Sequence, residues 1–187
     1  MDTSKPMRAD ARRNYERLLV EAKRAFAARG VEASLEDIAR QAGVGIGTLY
    51  RHFPTREALL ETLLRERFDA QAAAGREQLA RAEPLVALKT WLAGLSASSA
   101  DYRGLSEFLA AALDDETSPL YASCHAMQEV ASQLVEHAKA AGELRGDVTA
   151  QEVLLLLHAV SWAGEHSPGG GGLPRLLDLV FEGLRAS

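Results

Sequence analysis

The run from Ser34 to Phe53, SLEDIARQAGVGIGTLYRHF, leaves this chain few ways to fold. Leu35, Ile38, Ala39 and Ala42 recur at helical spacing and make one apolar face. Ser34 precedes that face as an N-cap, placed to accept the amide of Asp37, while the Asp37 side chain is placed to reach back in a capping box. Gly43 comes where the helix should stop, because a left-handed terminal residue is least strained as glycine. Val44 then plugs the corner, and a second helix opens near Gly45 or Ile46, with Leu49 and Phe53 turned inward. Gly47, Thr48 and Arg51 fall on its outer face, with Tyr50 and His52 at the flanks. Helix, glycine turn and helix form the unit whose second helix enters the DNA major groove.

A net charge of −5 over 187 residues argues at first against nucleic acid. The distribution matters more than the sum. Residues 1–67 carry 13 Lys and Arg against 10 Asp and Glu, or +3, leaving 8 against 16, or −8, for residues 68–187. The positive part coincides with the helix-turn-helix, and an acidic remainder would keep the rest of the protein off DNA. The single cysteine, Cys124, forms no internal disulfide and suits a reducing compartment. No apolar run follows Lys5 and Arg8, and no span approaches the ~18 apolar residues of a membrane helix, so a soluble cytoplasmic protein is expected.

Around this unit the pattern is helical throughout, and the fold expected is all-α. Residues 1–9 read as a flexible basic arm. A first helix runs from about Asp10 to Arg29, with Tyr15, Leu18, Leu19, Ala22 and Phe26 as its apolar stripe, and Gly30 ends it. Pro54 stops the second helix of the motif, and Thr55 caps a fourth that carries Leu59, Leu60, Leu63, Leu64 and Phe68 and continues to about Leu79. Helices follow from Pro84 to about Ser98, from Tyr102 to Leu113, and from Pro119, behind the cap Ser118, to Gly142. The last of these repeats Leu120, Cys124, Met127, Ala131, Leu134 and Ala138 as a close-packed seam.

The helix from about Thr149 to Glu165 is apolar nearly all round, with Val153, Leu156, Val160 and Ala163 on one side and Leu155, Ala159 and Trp162 on another. Such a helix must be buried on more than one side. Pro168 and four glycines then form a loop before a last helix striped with Leu173, Leu176, Leu177, Val180, Phe181 and Leu184. Two apolar C-terminal helices point to a homodimer through a four-helix interface, with Leu155, Ala159, Trp162, His166 and that final stripe as interface candidates. The chain divides into the arm, a DNA-binding domain over residues 10–71 and a helical effector and dimerisation domain over residues 72–187.

The residues from Ser34 to Leu59 resemble the TetR/AcrR family of bacterial transcriptional regulators. The resemblance is carried by Leu35-x-x-Ile38-Ala39, Ala42-Gly43-Val44, Gly47-Thr48-Leu49-Tyr50-x-His52-Phe53 and Arg56-Glu57-Ala58-Leu59, with Phe26 and Gly30 ahead of them. Further on, Tyr102-Arg103-Gly104-Leu105, the run from Leu120 to His125, and Val160-Ser161-Trp162-Ala163 resemble the SbtR-like C-terminal domain. The resemblance implies an all-helical dimer of about nine helices, usually a repressor of a palindromic double-stranded operator released by a small-molecule effector. It implies that Tyr50 and His52 hold the DNA backbone, that Arg56 stands where a usual Lys contacts phosphate, and that Ile46, Gly47 and Thr48 fall where base edges are read. Gly45 replaces a common Ser or Thr, and Ile46 a frequent Lys, Arg or Gln, which leaves apolar contact with a thymine methyl as the readout at Ile46.

Arg51 has phosphate, a base or solvent as its alternatives. Ser34 and Thr55 are helix caps first, although the amides at those helix starts can also hold phosphate. Trp91, Tyr102, Phe108, Tyr121, Cys124, His125, Met127, His158, Trp162 and Glu165 are candidates for an effector pocket, which combines apolar walls with few polar groups. Ordinary core packing is the competing reading for each. Cys124 beside His125 is no metal pattern, since adjacent helical positions diverge by ~100°; neither a metal nor another cofactor is expected. An enzyme finds no support: there is no nucleophile elbow, and Gly169 to Gly172 follows no strand and lacks the Lys-Ser/Thr of a phosphate loop. A third reading, an architectural DNA-coating protein without an effector, predicts binding with little sequence preference.

Overall fold

The computed structural model describes residues 4–97, 115–166 and 172–186. Every regular element among them is an α-helix, so the all-α expectation holds. The helix expected over Tyr102 to Leu113 lies outside the described residues. The described chain forms two compact units, 4–66 with 115–121, and 67–97 with 122–166 and 172–186.

In the first unit, α1 (Ser4–Arg29) begins earlier than the predicted Asp10, so residues 4–9 are helix rather than arm. Pro6 falls in the first turn, where a missing backbone N–H leaves no helical hydrogen bond unmade. Leu18, Leu19, Ala22 and Phe26 are buried as the stripe predicts, and they bring α1 against α2 (Leu35–Gln41) and α3 (Ile46–His52). The helix α4 (Arg56–Leu79) opens behind Thr55, whose hydroxyl accepts the Ala58 amide at 3.1 Å. Leu59, Leu60, Leu63 and Leu64 are buried.

The second unit takes up α4 from residue 67 and adds α5 (Pro84–Ala97), the remainder of α6 (Pro119–Ala140), α7 (Ala150–His166) and α8 (Leu173–Leu184). The predicted seam of α6 is buried along its whole length, and Val130 and Val135 widen it. Gly142 ends α6 at φ 70°, with Gly142 N donating to Lys139 O and Glu143 N to Ala138 O, the paired bonds of a Schellman motif. The Glu143 carboxylate then accepts the Leu85 amide at 2.8 Å and so closes the open start of α5. Thr149 and Glu152 form a reciprocal capping box ahead of α7, at 3.2 Å and 2.8 Å. An isolated antiparallel bridge joins Leu144 to Arg185.

α7 does carry two different sides. Val153 and Leu157 face the core, Leu156, Val160 and Ala163 are half-buried, and Leu155 and Trp162 are 69% and 63% exposed with Ala159 exposed between them. Leu157 is the inner residue that the periodicity reading left out. In α8 the stripe divides: Leu177 and Phe181 are buried within this chain, while Leu176, Val180 and Leu184 are half-buried and Leu179 is exposed. The stripe is wider than one line of contact, and its centre packs inward against α7. Lys89 Nζ lies 5.2 Å from the Phe181 ring centroid and pairs with Asp178 at 2.9 Å. Leu177 and Phe181 are therefore core residues of the chain rather than free interface. The side chains of His166 and Leu173 lie outside the described residues.

Candidate nucleic-acid interface

Local chemistry builds the interface from α2 onward. Ser34 accepts the Asp37 amide at 3.2 Å, as the cap requires. The return half of the capping box is replaced: the Asp37 carboxylate takes the guanidinium groups of Arg29, at 3.2 Å, and Arg40, and the Ser34 hydroxyl donates to Glu36 at 3.1 Å. α2 then ends in a Schellman motif, with Gly43 at φ 69°, Gly43 N bonded to Arg40 O and Val44 N to Ala39 O. An L-residue at Gly43 would be strained, so the corner that aims α3 is fixed by backbone geometry.

α3 is short and sharply two-sided. Leu49 and Phe53 are 0% and 2% exposed, which locks its inner face. Gly45, Gly47, Tyr50 and Arg51 are exposed, and Ile46 and Thr48 are half-buried. Nothing stands within 4 Å of where a Cβ on Gly45 or Gly47 would be, so the outer face has open space around it. Arg51 lies along this face, its Nε donating to Gly47 O at 3.2 Å and its Nη2 to Thr48 Oγ1 at 3.0 Å. Both bonds are solvent-exposed and within the helix, so exchanging them for a phosphate oxygen loses little.

His52 is half-buried, edge-on to Tyr15 at 5.9 Å, while Tyr15 stacks on Phe53 at 5.2 Å. Its ring thus packs between helices, whereas Tyr50 is 45% exposed. Beside His52 an open depression of about 710 Å³ is lined by Arg12, Tyr15, Glu16, Val20 and Glu66. Partial burial, and then the negative charge of Glu66, push the Tyr15 phenol up, with Arg65 opposing, so its hydroxyl stays protonated.

Arg56 turns one nitrogen inward. Rather than projecting outward, its Nη1 donates at 2.6 Å to both Val31 O and Ala33 O. Arg17 of α1 lies beside the Gly43 turn. Its exposed guanidinium is held by Asn14 at 2.6 Å, and a Cβ at Gly43 would stand 3.5 Å from its Nη1. The nearness of Arg17 to the turn depends on how α1 crosses the motif, which no local pattern encodes.

The ten pocket candidates do not share one environment. Trp91, Cys124 and Met127 are buried, and the Trp91 indole N–H donates to Gln71 O at 2.9 Å, so its polar edge is satisfied inside the core. Tyr121 is half-buried. His125, His158 and Trp162 are exposed, with His125 3.5 Å from Glu129. Among the described residues these three stand at the surface. Adjacent helical positions diverge, so His125 turns outward where Cys124 turns in. Tyr102, Phe108 and the Glu165 side chain lie outside the described residues. No helix among the described residues is long and apolar enough to cross a membrane.

Comparison with known proteins gives the family and the fold. Residues 18–63 match the model of bacterial regulatory proteins of the tetR family, and residues 83–186 match the C-terminal domain of SbtR-like transcriptional regulators. A TetR transcriptional regulator from Streptomyces coelicolor, known from its crystal structure, is 34% identical, with 92% of this chain and 98% of that chain covered at a TM-score of 0.71. A TetR regulatory protein from Mycobacterium vanbaalenii is 32% identical, with 97% and 100% covered at 0.66. An HTH-type transcriptional regulator of Staphylococcus aureus (strain USA300) is 39% identical over 64 residues, which span 34% of this chain and 35% of that protein's length. These relatives are regulators rather than enzymes. The chain belongs to the TetR family of bacterial transcriptional regulators and carries an SbtR-like C-terminal domain.

Proposed function

We propose that the protein is a cytoplasmic repressor that binds a palindromic operator as a homodimer and is released by a small-molecule effector. The observation that carries this reading is the two-sided α3, with Leu49 and Phe53 locked inside and Gly47, Tyr50 and Arg51 outside. Ile46, Gly47 and Thr48 are the base-facing residues, with Gly45 admitting close approach. Tyr50, Arg51 and His52 hold the backbone, and the helix starts behind Ser34 and Thr55 supply amides to phosphate. The exposed line Leu155, Ala159 and Trp162 on α7, continued by the half-buried residues of α8, is the dimer surface. The effector sits in the helical C-terminal domain and binds the released conformation better than the DNA-bound one, as any coupled release requires. Because α4 contributes residues to both units, its repositioning is the route by which the effector changes the separation of the two α3 helices.

The test is selection of binding sites from random duplex DNA by the full-length protein. Recovery of one palindrome, with half-site centres separated by about 34–36 Å or a multiple, supports the dimeric regulator. Flat enrichment would leave the architectural reading in its place. With the recovered duplex, Arg51→Ala should reduce the slope of log affinity against log salt by ~0.9, the loss of one phosphate contact.

A further inference from the structure

Arg56 is the first residue of α4, and its side chain is half-buried. One nitrogen, Nη1, donates to two backbone carbonyls, Val31 O and Ala33 O, each at 2.6 Å. Those carbonyls lie in the short segment between Gly30, where α1 ends at φ 73°, and Ser34, which caps α2. A charged donor makes stronger hydrogen bonds to carbonyls than a neutral one, more so where water is partly excluded. Two such bonds fix where this segment rests on the first turn of α4. Beyond it the chain runs through the Ser34 cap into α2, turns at the left-handed Gly43 and enters α3. On the other side of the segment, Arg29 at the end of α1 pairs with Asp37 of α2 at 3.2 Å. The start of α4 is thus tied to the start of the helix-turn-helix by one side chain, with the Nη1 of its guanidinium aimed at protein carbonyls.

We infer that Arg56 is a positioning residue for DNA recognition: it sets α2 and α3 on the first turn of α4 and does not meet a phosphate. The inference rests on the reading of α3 as the DNA-binding helix. It also makes any displacement of the α4 start a displacement of the segment that leads into α2.

Full-length Arg56→Gln and Arg56→Lys proteins provide the test, each kept at a temperature where circular dichroism shows it fully folded. Binding is measured over a salt series with the duplex recovered by selection and with an unrelated duplex of equal length. Hydrogen exchange of backbone amides over residues 31–41 is followed without DNA. Arg56→Gln should weaken binding to the selected duplex about tenfold, the scale of one charge-assisted hydrogen bond. Binding to the unrelated duplex should change less than about twofold and the salt slope should stay the same, because no phosphate contact is lost. Exchange over residues 31–41 should accelerate. Arg56→Lys, which keeps a charged donor, should recover most of the ratio between the two duplexes. A salt slope lower by ~0.9 in Arg56→Gln would mean a phosphate contact and would overturn the inference. So would an equal loss on both duplexes, or unchanged exchange. If the selection recovers no duplex, the DNA-binding reading fails, and exchange alone decides the latch: faster in Arg56→Gln upholds it, equal rates reject it.

Discussion

Replacing Gly75 with alanine would measure how closely the helices of the C-terminal unit approach one another. In an open helix interior this change is stabilising, by about 1 kcal/mol, because alanine restricts the unfolded chain and favours helix. Here the new Cβ would overlap Val130 Cγ1 and stand 2.9 Å from Trp91 Nε1. Val130 and Trp91 are each 2% exposed, so neither has solvent to move into. Overpacking of this kind costs about 1–3 kcal/mol. The indole is also anchored, its Nε1–H donating to Gln71 O one turn before Gly75, and shifting it loses about 1 kcal/mol more. Against the gain of about 1 kcal/mol from helix propensity, the net expectation is a loss of about 1–3 kcal/mol. Urea denaturation of the wild type and of Gly75→Ala, Val130→Ala and the double variant completes a cycle. Removing Cγ1 should relieve the alanine, so the double variant should be more stable than the sum of the single changes by about 1 kcal/mol or more. A Gly75→Ala protein as stable as the wild type, or an additive cycle, would refute the close approach.

Two further outcomes follow from burial. Leu155→Glu, made on an exposed position of α7, should leave the chain folded, within about 0.5 kcal/mol, while shifting its mass in sedimentation from dimer to monomer; an unchanged dimer removes this face from the interface. Burial pushes the Cys124 thiol up, so the protein should resist alkylation at neutral pH and react quickly in urea. Because the folded thiol holds its proton more tightly than the unfolded one, its contribution to stability is complete below about pH 8.5 and is lost as pH rises toward and through the folded value. Cys124→Ala should flatten that alkaline decline in denaturation experiments, and equal alkylation rates for folded and unfolded chains would contradict the premise.

What could be read from the sequence was whatever a few neighbouring residues decide between themselves. The Ser34 cap, the Gly43 stop, the Pro119 helix start and the seam from Leu120 to Ala138 each depend on spacing within one or two helical turns, and each is where the pattern placed it. The pairing of Asp37 is not local: Arg29, eight residues earlier, competes for its carboxylate, which depends on where α1 ends relative to α2. The inward bonds of Arg56 escape local reading for the same reason over a longer separation: its partners are 23 and 25 residues away. Hydrophobic periodicity showed that α8 was apolar along a broad stripe but not which line packs inward; α7 decides that Leu177 and Phe181 go inside. Among the pocket candidates, residue type alone does not separate buried Trp91 from exposed Trp162.

The open space around Gly47 bears on how such a regulator acquires a new target. Leu49 and Phe53 secure α3 from its inner face, and a Cβ added at Gly47 would have no atom within 4 Å beyond its chain neighbours and its own helix backbone. Most residues there would make the helix more stable, by up to about 1 kcal/mol, since glycine is among the weakest helix formers. On the proposed reading of α3, changes at this position are filtered by the DNA far more than by the fold. A lineage carrying this motif can drift among operators one substitution at a time while every intermediate remains a folded protein.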